Sequence, residues 1–166
     1  MVGIFYLSAA VAVLSTVLVI TRRHAVHALL YLIVSLLAVA MVFFSLGAPF
    51  AAALEVIIYA GAIMVLFVFV IMMLNLGPGS RDLSGDLTGF PQWIGPLLLA
   101  AVLLLELLYA VREGAVAPAG QGVVGPKAVG IALYGPYLLG VELISLLLLA
   151  GLVGAYHLGR RGGEEE

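Results

Sequence analysis

Five long apolar runs, at about 2–20, 25–46, 50–76, 93–111 and 129–158, occupy most of this chain. A helix needs about 20 predominantly apolar residues to cross a hydrocarbon core, and each run is long enough. A membrane β-barrel would instead show segments of about 10 residues alternating between polar and apolar. Here 97–105 and 143–149 are almost uniformly apolar and cannot alternate. The reading is therefore an all-α integral membrane protein of five transmembrane helices, one membrane domain over 1–166, with no length left for a soluble domain. Composition agrees: 64 % of the residues are hydrophobic and 10 % charged, against about 45–50 % and 25 % in soluble domains.

Gly, Pro and charged clusters mark the breaks. They are Thr21-Arg22-Arg23-His24, Gly47-Ala48-Pro49, Gly77-Pro78-Gly79-Ser80-Arg81-Asp82 and a Gly-rich segment within an external loop at 112–128. Such residues end helices because Pro lacks a donor and Gly resists ordering. Gly135-Pro136 falls inside the fifth run, so its first turns are either a loop or a helix restart near Tyr134. Basic loops stay cytoplasmic. An outside N-terminus puts Arg22, Arg23, Arg81, Arg160 and Arg161 inside and only Arg112 and Lys127 outside, which predicts N-out, C-in with a cytoplasmic tail at 159–166. No basic residue precedes the first run, so it reads as a span rather than a signal peptide. Trp93, Tyr109, Tyr134, Tyr137 and Tyr156 lie near run ends, where an interfacial aromatic belt belongs.

The chemistry-bearing motifs are few. The chain has no Cys, which excludes thiolate-ligated iron–sulfur clusters and disulfides, and its His24, His27 and His157 lack metal-ligand spacing. Neither Gly-rich nucleotide motif is present. The unusual residues are three acids inside the runs, Glu55, Glu106 and Glu142. On the N-out topology they sit about 6–8, 8 and 12 Å from the outer helix ends, at about 1.5 Å per residue. A charge at a helix centre costs about 2.5–3.5 kcal/mol on insertion scales, and no Lys, Arg or His is expected within the spans to compensate it. Either these acids stay protonated, or other subunits supply the compensating groups. A bland reading stands beside each: Glu55 reaches the outer headgroups, Glu106 snorkels outward past Tyr109, and Glu142, the deepest, fits such a reading least.

The third run is the most patterned. Glu55 and Tyr59 share a helical face, and Ala60-Gly61-Ala62 form a small-residue step ahead of the bulky Ile63-Met64-Val65-Leu66-Phe67-Val68-Phe69. Such a step is either a notch for another helix or a π-bulge, an inserted residue often found at functional sites. Gaining or losing a bulge turns the following helix by about 100°, which would present Met64, Phe67 and Phe69 to different neighbours.

Glu55, Tyr59-Ala60-Gly61-Ala62 and the run 66–73, with Tyr137-Leu138-Leu139, Glu142, 146–150 and Gly154-Ala155 in the last span, resemble a known family. It comprises the chain J (subunit 10) type membrane subunits of bacterial proton-pumping NADH-quinone oxidoreductase, respiratory complex I, relatives of the mitochondrial ND subunit six. The resemblance implies a non-catalytic subunit in the membrane arm of the bacterial cytoplasmic membrane, beside subunits of the K, H, A and N types, with no nucleic acid partner. It implies a π-bulge at Tyr59, Ala60, Gly61, Ala62, Ile63, Met64 and Val65, whose rotation opens a water wire past a hydrophobic gate of Leu66, Phe67 and Phe69. NADH, FMN, iron–sulfur clusters and quinone would then be bound by other subunits, and none by this chain. Two other functions compete: a subunit of a multi-chain cation/proton antiporter, and a purely structural spacer. The segment 114–125 matches no pattern.

Overall fold

The computed structural model describes residues 2–22, 25–74, 90–112 and 122–160. All regular structure among them is helical: α1 (Val2–Thr21), α2 (Ala25–Ser45), α3 (Pro49–Leu54), a π-helical segment (Glu55–Ile63), α4 (Met64–Leu74), α5 (Phe90–Arg112), α6 (Pro126–Leu133) and α7 (Leu138–Gly159). Five continuous stretches are long and apolar enough to cross a membrane: Val2–Thr21, Ala25–Ser45, Pro49–Met73, Trp93–Arg112 and Leu138–Gly159. The chain falls into two compact units, Met1–Val124 and Gly125–Glu166, where the sequence reading treats it as one membrane domain.

In the first unit α2 is the central helix, packed by α1, the third span and α5. Six of its nine buried residues, His27, Tyr31, Val34, Ala38, Met41 and Ser45, recur at alternating steps of four and three, one stripe of a helix, and Leu29, Ser35 and Ala40 widen the buried surface beside it. On α1 the matching stripe is Ile4, Ser8, Val11 and Ser15. Serine is short enough to let two helix backbones approach closely in lipid, where packing rather than hydrophobicity drives association. Between the two helices the Thr16 and Ser35 hydroxyls lie 2.8 Å apart, and both donate to the Ala12 carbonyl, at 2.8 and 3.1 Å. Leu103 and Ala110 of α5 complete a core with Ile4, Val11, Val34, Ala38 and Met41.

The turn from α2 into the third span is a Schellman cap. Gly47 takes φ 82°, its N–H donates to Phe44 O at 3.1 Å, and Ala48 N–H donates to Phe43 O at 3.0 Å. Pro49 opens α3, where its missing N–H costs nothing. Val124 N–H, at the end of the first unit, donates to Gly47 O at 2.9 Å. At the opposite end of α2 the Arg22 guanidinium lies 5.2 Å from the Tyr31 ring centroid, a cation–π contact. The hydroxyl of Tyr31 abuts Gly95, where any Cβ would run into it.

In the second unit the break expected at Gly135-Pro136 separates two helices, α6 from Pro126 and α7 from Leu138, so the restart falls at Leu138, just past the expected Tyr134. Pro136 cannot continue a helix, and a Cβ at Gly135 would lie 2.7 Å from the Ile131 carbonyl oxygen, so the break needs glycine there. Within the expected external loop at 112–128, most of which lies outside the described residues, α6 begins at Pro126. No residue of α7 is buried. A predominantly apolar helix of that kind must be covered by lipid or protein.

Candidate functional site

The third span changes its winding twice. Glu55 N–H still donates to the Ala51 and Ala52 carbonyls, as an α-helix and its tighter variant do. From there to Ile63 the pairing widens to the i→i+5 pattern of a π-helix, and Met64 N–H closes it by reaching both Tyr59 O and Gly61 O. Gly61 fits this geometry: an ideal Cβ there would lie 3.2 Å from the Val56 carbonyl oxygen, five residues back. The widened turn brings that carbonyl against position 61, and glycine leaves it room.

The π winding lies earlier than the expected Tyr59–Val65. It begins at Glu55, while Met64 and Val65 already belong to α4. In place of a single inserted residue it extends over nine residues. The carbonyl of Glu55 therefore pairs one residue beyond Tyr59, which loosens the i,i+4 relation expected of those two.

From Glu55 to Met73 only Met64 is buried, at 2 % exposure. Tyr59, Leu66, Phe67 and Phe69 are all exposed, so the residues expected to form a gate face outward from this chain. Beside the start of the span lies an apolar groove of 580 Å³, with Met41 and Phe44 of α2, Ala52 and Val56 of the third span, and Leu103 and Leu107 of α5 among its walls.

The three membrane acids are placed differently from one another. Glu55 is half-buried at the first π turn and Glu142 is exposed on α7. Glu106 is 7 % exposed, inside the first unit, and its Oε2 accepts a hydrogen bond of 2.8 Å from Ser8 Oγ of α1. That overturns the snorkelling alternative for Glu106, because the core side of α5 holds the carboxyl. Ser8 lies 98 residues away in sequence, so no local pattern pairs the two. The spacing of Ser8 and Ser15 on one face of α1 is the signal that could have placed serine in the seam. A second correction concerns the expectation that the spans hold no Lys, Arg or His: His27, within the second run at 25–46, is a buried residue of α2.

Five apolar membrane-length helices, the third wound as a π-helix over Glu55–Ile63, define a multi-pass helical membrane protein. Residues 15–158 match the NADH-ubiquinone/plastoquinone oxidoreductase chain 6 family, and the chain belongs to that family. It is 61 % identical over 165 residues to NADH-quinone oxidoreductase subunit J of Pseudomonas aeruginosa, covering 97 % of this chain and 98 % of that protein. To subunit J of Escherichia coli K12 it is 55 % identical over 166 residues, covering 96 % and 88 %. To subunit J of Buchnera aphidicola from Schizaphis graminum it is 52 % identical over 158 residues, covering 95 % and 96 %.

Proposed function

We propose that this chain is a membrane-arm subunit of a proton-translocating NADH:quinone oxidoreductase in the bacterial cytoplasmic membrane, and that its third span transmits quinone reduction to proton movement. The observation that carries the reading is the π winding over Glu55–Ile63, which ends in an α-helix anchored by one buried side chain. A π turn differs from an α turn by about one residue, so exchanging one for the other rotates α4 by about 100°. Both arrangements satisfy the backbone within the helix, as a membrane span requires. The exchange would swing Leu66, Phe67 and Phe69, all exposed here, past a neighbouring subunit.

In this reading quinone reduction elsewhere in the complex biases a two-state helix, and water gains or loses a path past those side chains. Tyr59, Ala60, Gly61, Ala62 and Ile63 form the element that rewinds, Met64 and Val65 receive the rotation, and Glu55 and Glu142 are the acids open to partner subunits. In this reading partners of the K, H, A and N types would cover exposed faces such as those of the third span and α7. The chain has no Cys to ligate iron–sulfur clusters, and in this reading NADH, FMN and quinone are likewise bound by other subunits. What supports membership of such an assembly is the similarity to subunit J proteins along nearly the whole chain.

The antiporter reading differs in its partners. A tagged copy of this chain, solubilised from its own membranes, is expected to copurify with flavin- and iron–sulfur-containing subunits and with NADH:quinone activity. Recovery in a multi-chain assembly lacking both prosthetic groups would contradict the proposal and favour the antiporter.

A further inference from the structure

We infer that Glu106 and Ser8 form a proton-binding site in the core of this chain, with Glu106 held as a neutral carboxylic acid. The site is separate from the π winding and does not depend on whether the third span moves. An ionised carboxylate offers about four lone-pair positions to donors. Here Oε2 accepts from Ser8 Oγ at 2.8 Å, while Oε1 is buried with no hydrogen-bond partner among the described residues. The helices of this chain enclose Oε1, so a cation on a partner subunit cannot reach it in this arrangement.

That removes one of the two ways of keeping an acid in a bilayer, compensation by another subunit, and leaves neutralisation by a proton. The neutral acid suits the geometry: Oε2 acts as the carbonyl that Ser8 donates to, and Oε1 carries the proton. Glu55 and Glu142 differ, since neither is buried within this chain. The hydroxyl of Ser15, two turns along the same face of α1, is likewise buried with no hydrogen-bond partner among the described residues.

Infrared difference spectroscopy on the intact assembly that the tagged chain purifies with reads this directly. Subtracting the Glu106→Gln spectrum from wild type is expected to leave the C=O stretch of one hydrogen-bonded, neutral carboxylic acid. Ser8→Ala is expected to move that band to higher frequency, because the carbonyl loses its donor. Two results would overturn the inference: a difference confined to the carboxylate stretches, meaning that Glu106 is ionised, or a Ser8→Ala spectrum identical to wild type. Should Glu106→Gln fail to assemble, the wild type minus Ser8→Ala difference decides alone, by a shift or by none.

Discussion

Leucine in place of Ala38 is expected to separate α1 from α2 and to lower the amount of the chain that reaches its assembled form. Ala38 is fully buried in the cluster where Ile4 and Val11 of α1, Met41 of α2 and Leu103 of α5 meet. Within a membrane there is no hydrophobic gain from keeping these helices together, so close van der Waals contact between small side chains carries the association. Three added carbon atoms have no vacant volume to enter. Overpacking of this kind typically costs about 1–3 kcal/mol, and more where the backbone must part. The check is the thermal midpoint of the solubilised assembly together with the steady-state level of the chain in membranes. Both should fall, and an unchanged midpoint would mean that α1 and α2 are not held at this point.

The second large effect is expected at Met64. It is the one buried residue between Glu55 and Met73, and it follows directly on the last π turn. Truncation of a buried methionine to alanine costs about 2–5 kcal/mol through lost contacts and the cavity left behind. Here the loss falls on the side chain that fixes which face α4 turns toward α2. Met64→Ala is thus expected to leave the five spans in place while freeing α4 to rotate. A cysteine at position 67, paired by disulfide cross-linking with a scanning cysteine on the neighbouring subunit, should then form products at more positions than in the Met64 background. An unchanged cross-linking pattern would show that the rest of the assembly holds α4 without Met64.

Much of the architecture is legible in the residues because each span is a local property. About 20 apolar residues bounded by Arg22-Arg23, Gly47-Ala48-Pro49 or Arg112 read as a crossing helix whatever surrounds them. The π winding was signalled by the Ala60-Gly61-Ala62 step, but not its register, since small side chains mark where a backbone is permissive and not where the wider pairing starts. Gly135-Pro136 announced a break whose helix restart, at Leu138, depends on how Gly135 meets the Ile131 carbonyl. The partner of Glu106 was not legible at all. A serine in α1 becomes a hydrogen-bond donor to α5 only after both helices have docked, and an isolated sequence carries no trace of that encounter beyond the spacing of Ser8 and Ser15. His27 lies in the second run as drawn from the sequence, and its burial as the third residue of α2 depends on which face of that helix meets its neighbours, which the run itself does not mark.

The central claim is that the third span is a moving part of a coupling path, and position 61 tests it at the turn that would move. Leucine there must displace the Val56 carbonyl, which a Cβ would already approach to 3.2 Å, so the span loses freedom to exchange one winding for the other. The measurement is proton translocation per NADH oxidised in membrane vesicles, wild type against Gly61→Leu, after assembly of the complex has been verified. The account predicts that pumping and NADH oxidation fall together in the fully assembled variant. Wild-type levels of both would contradict it and reduce Gly61 to a packing position.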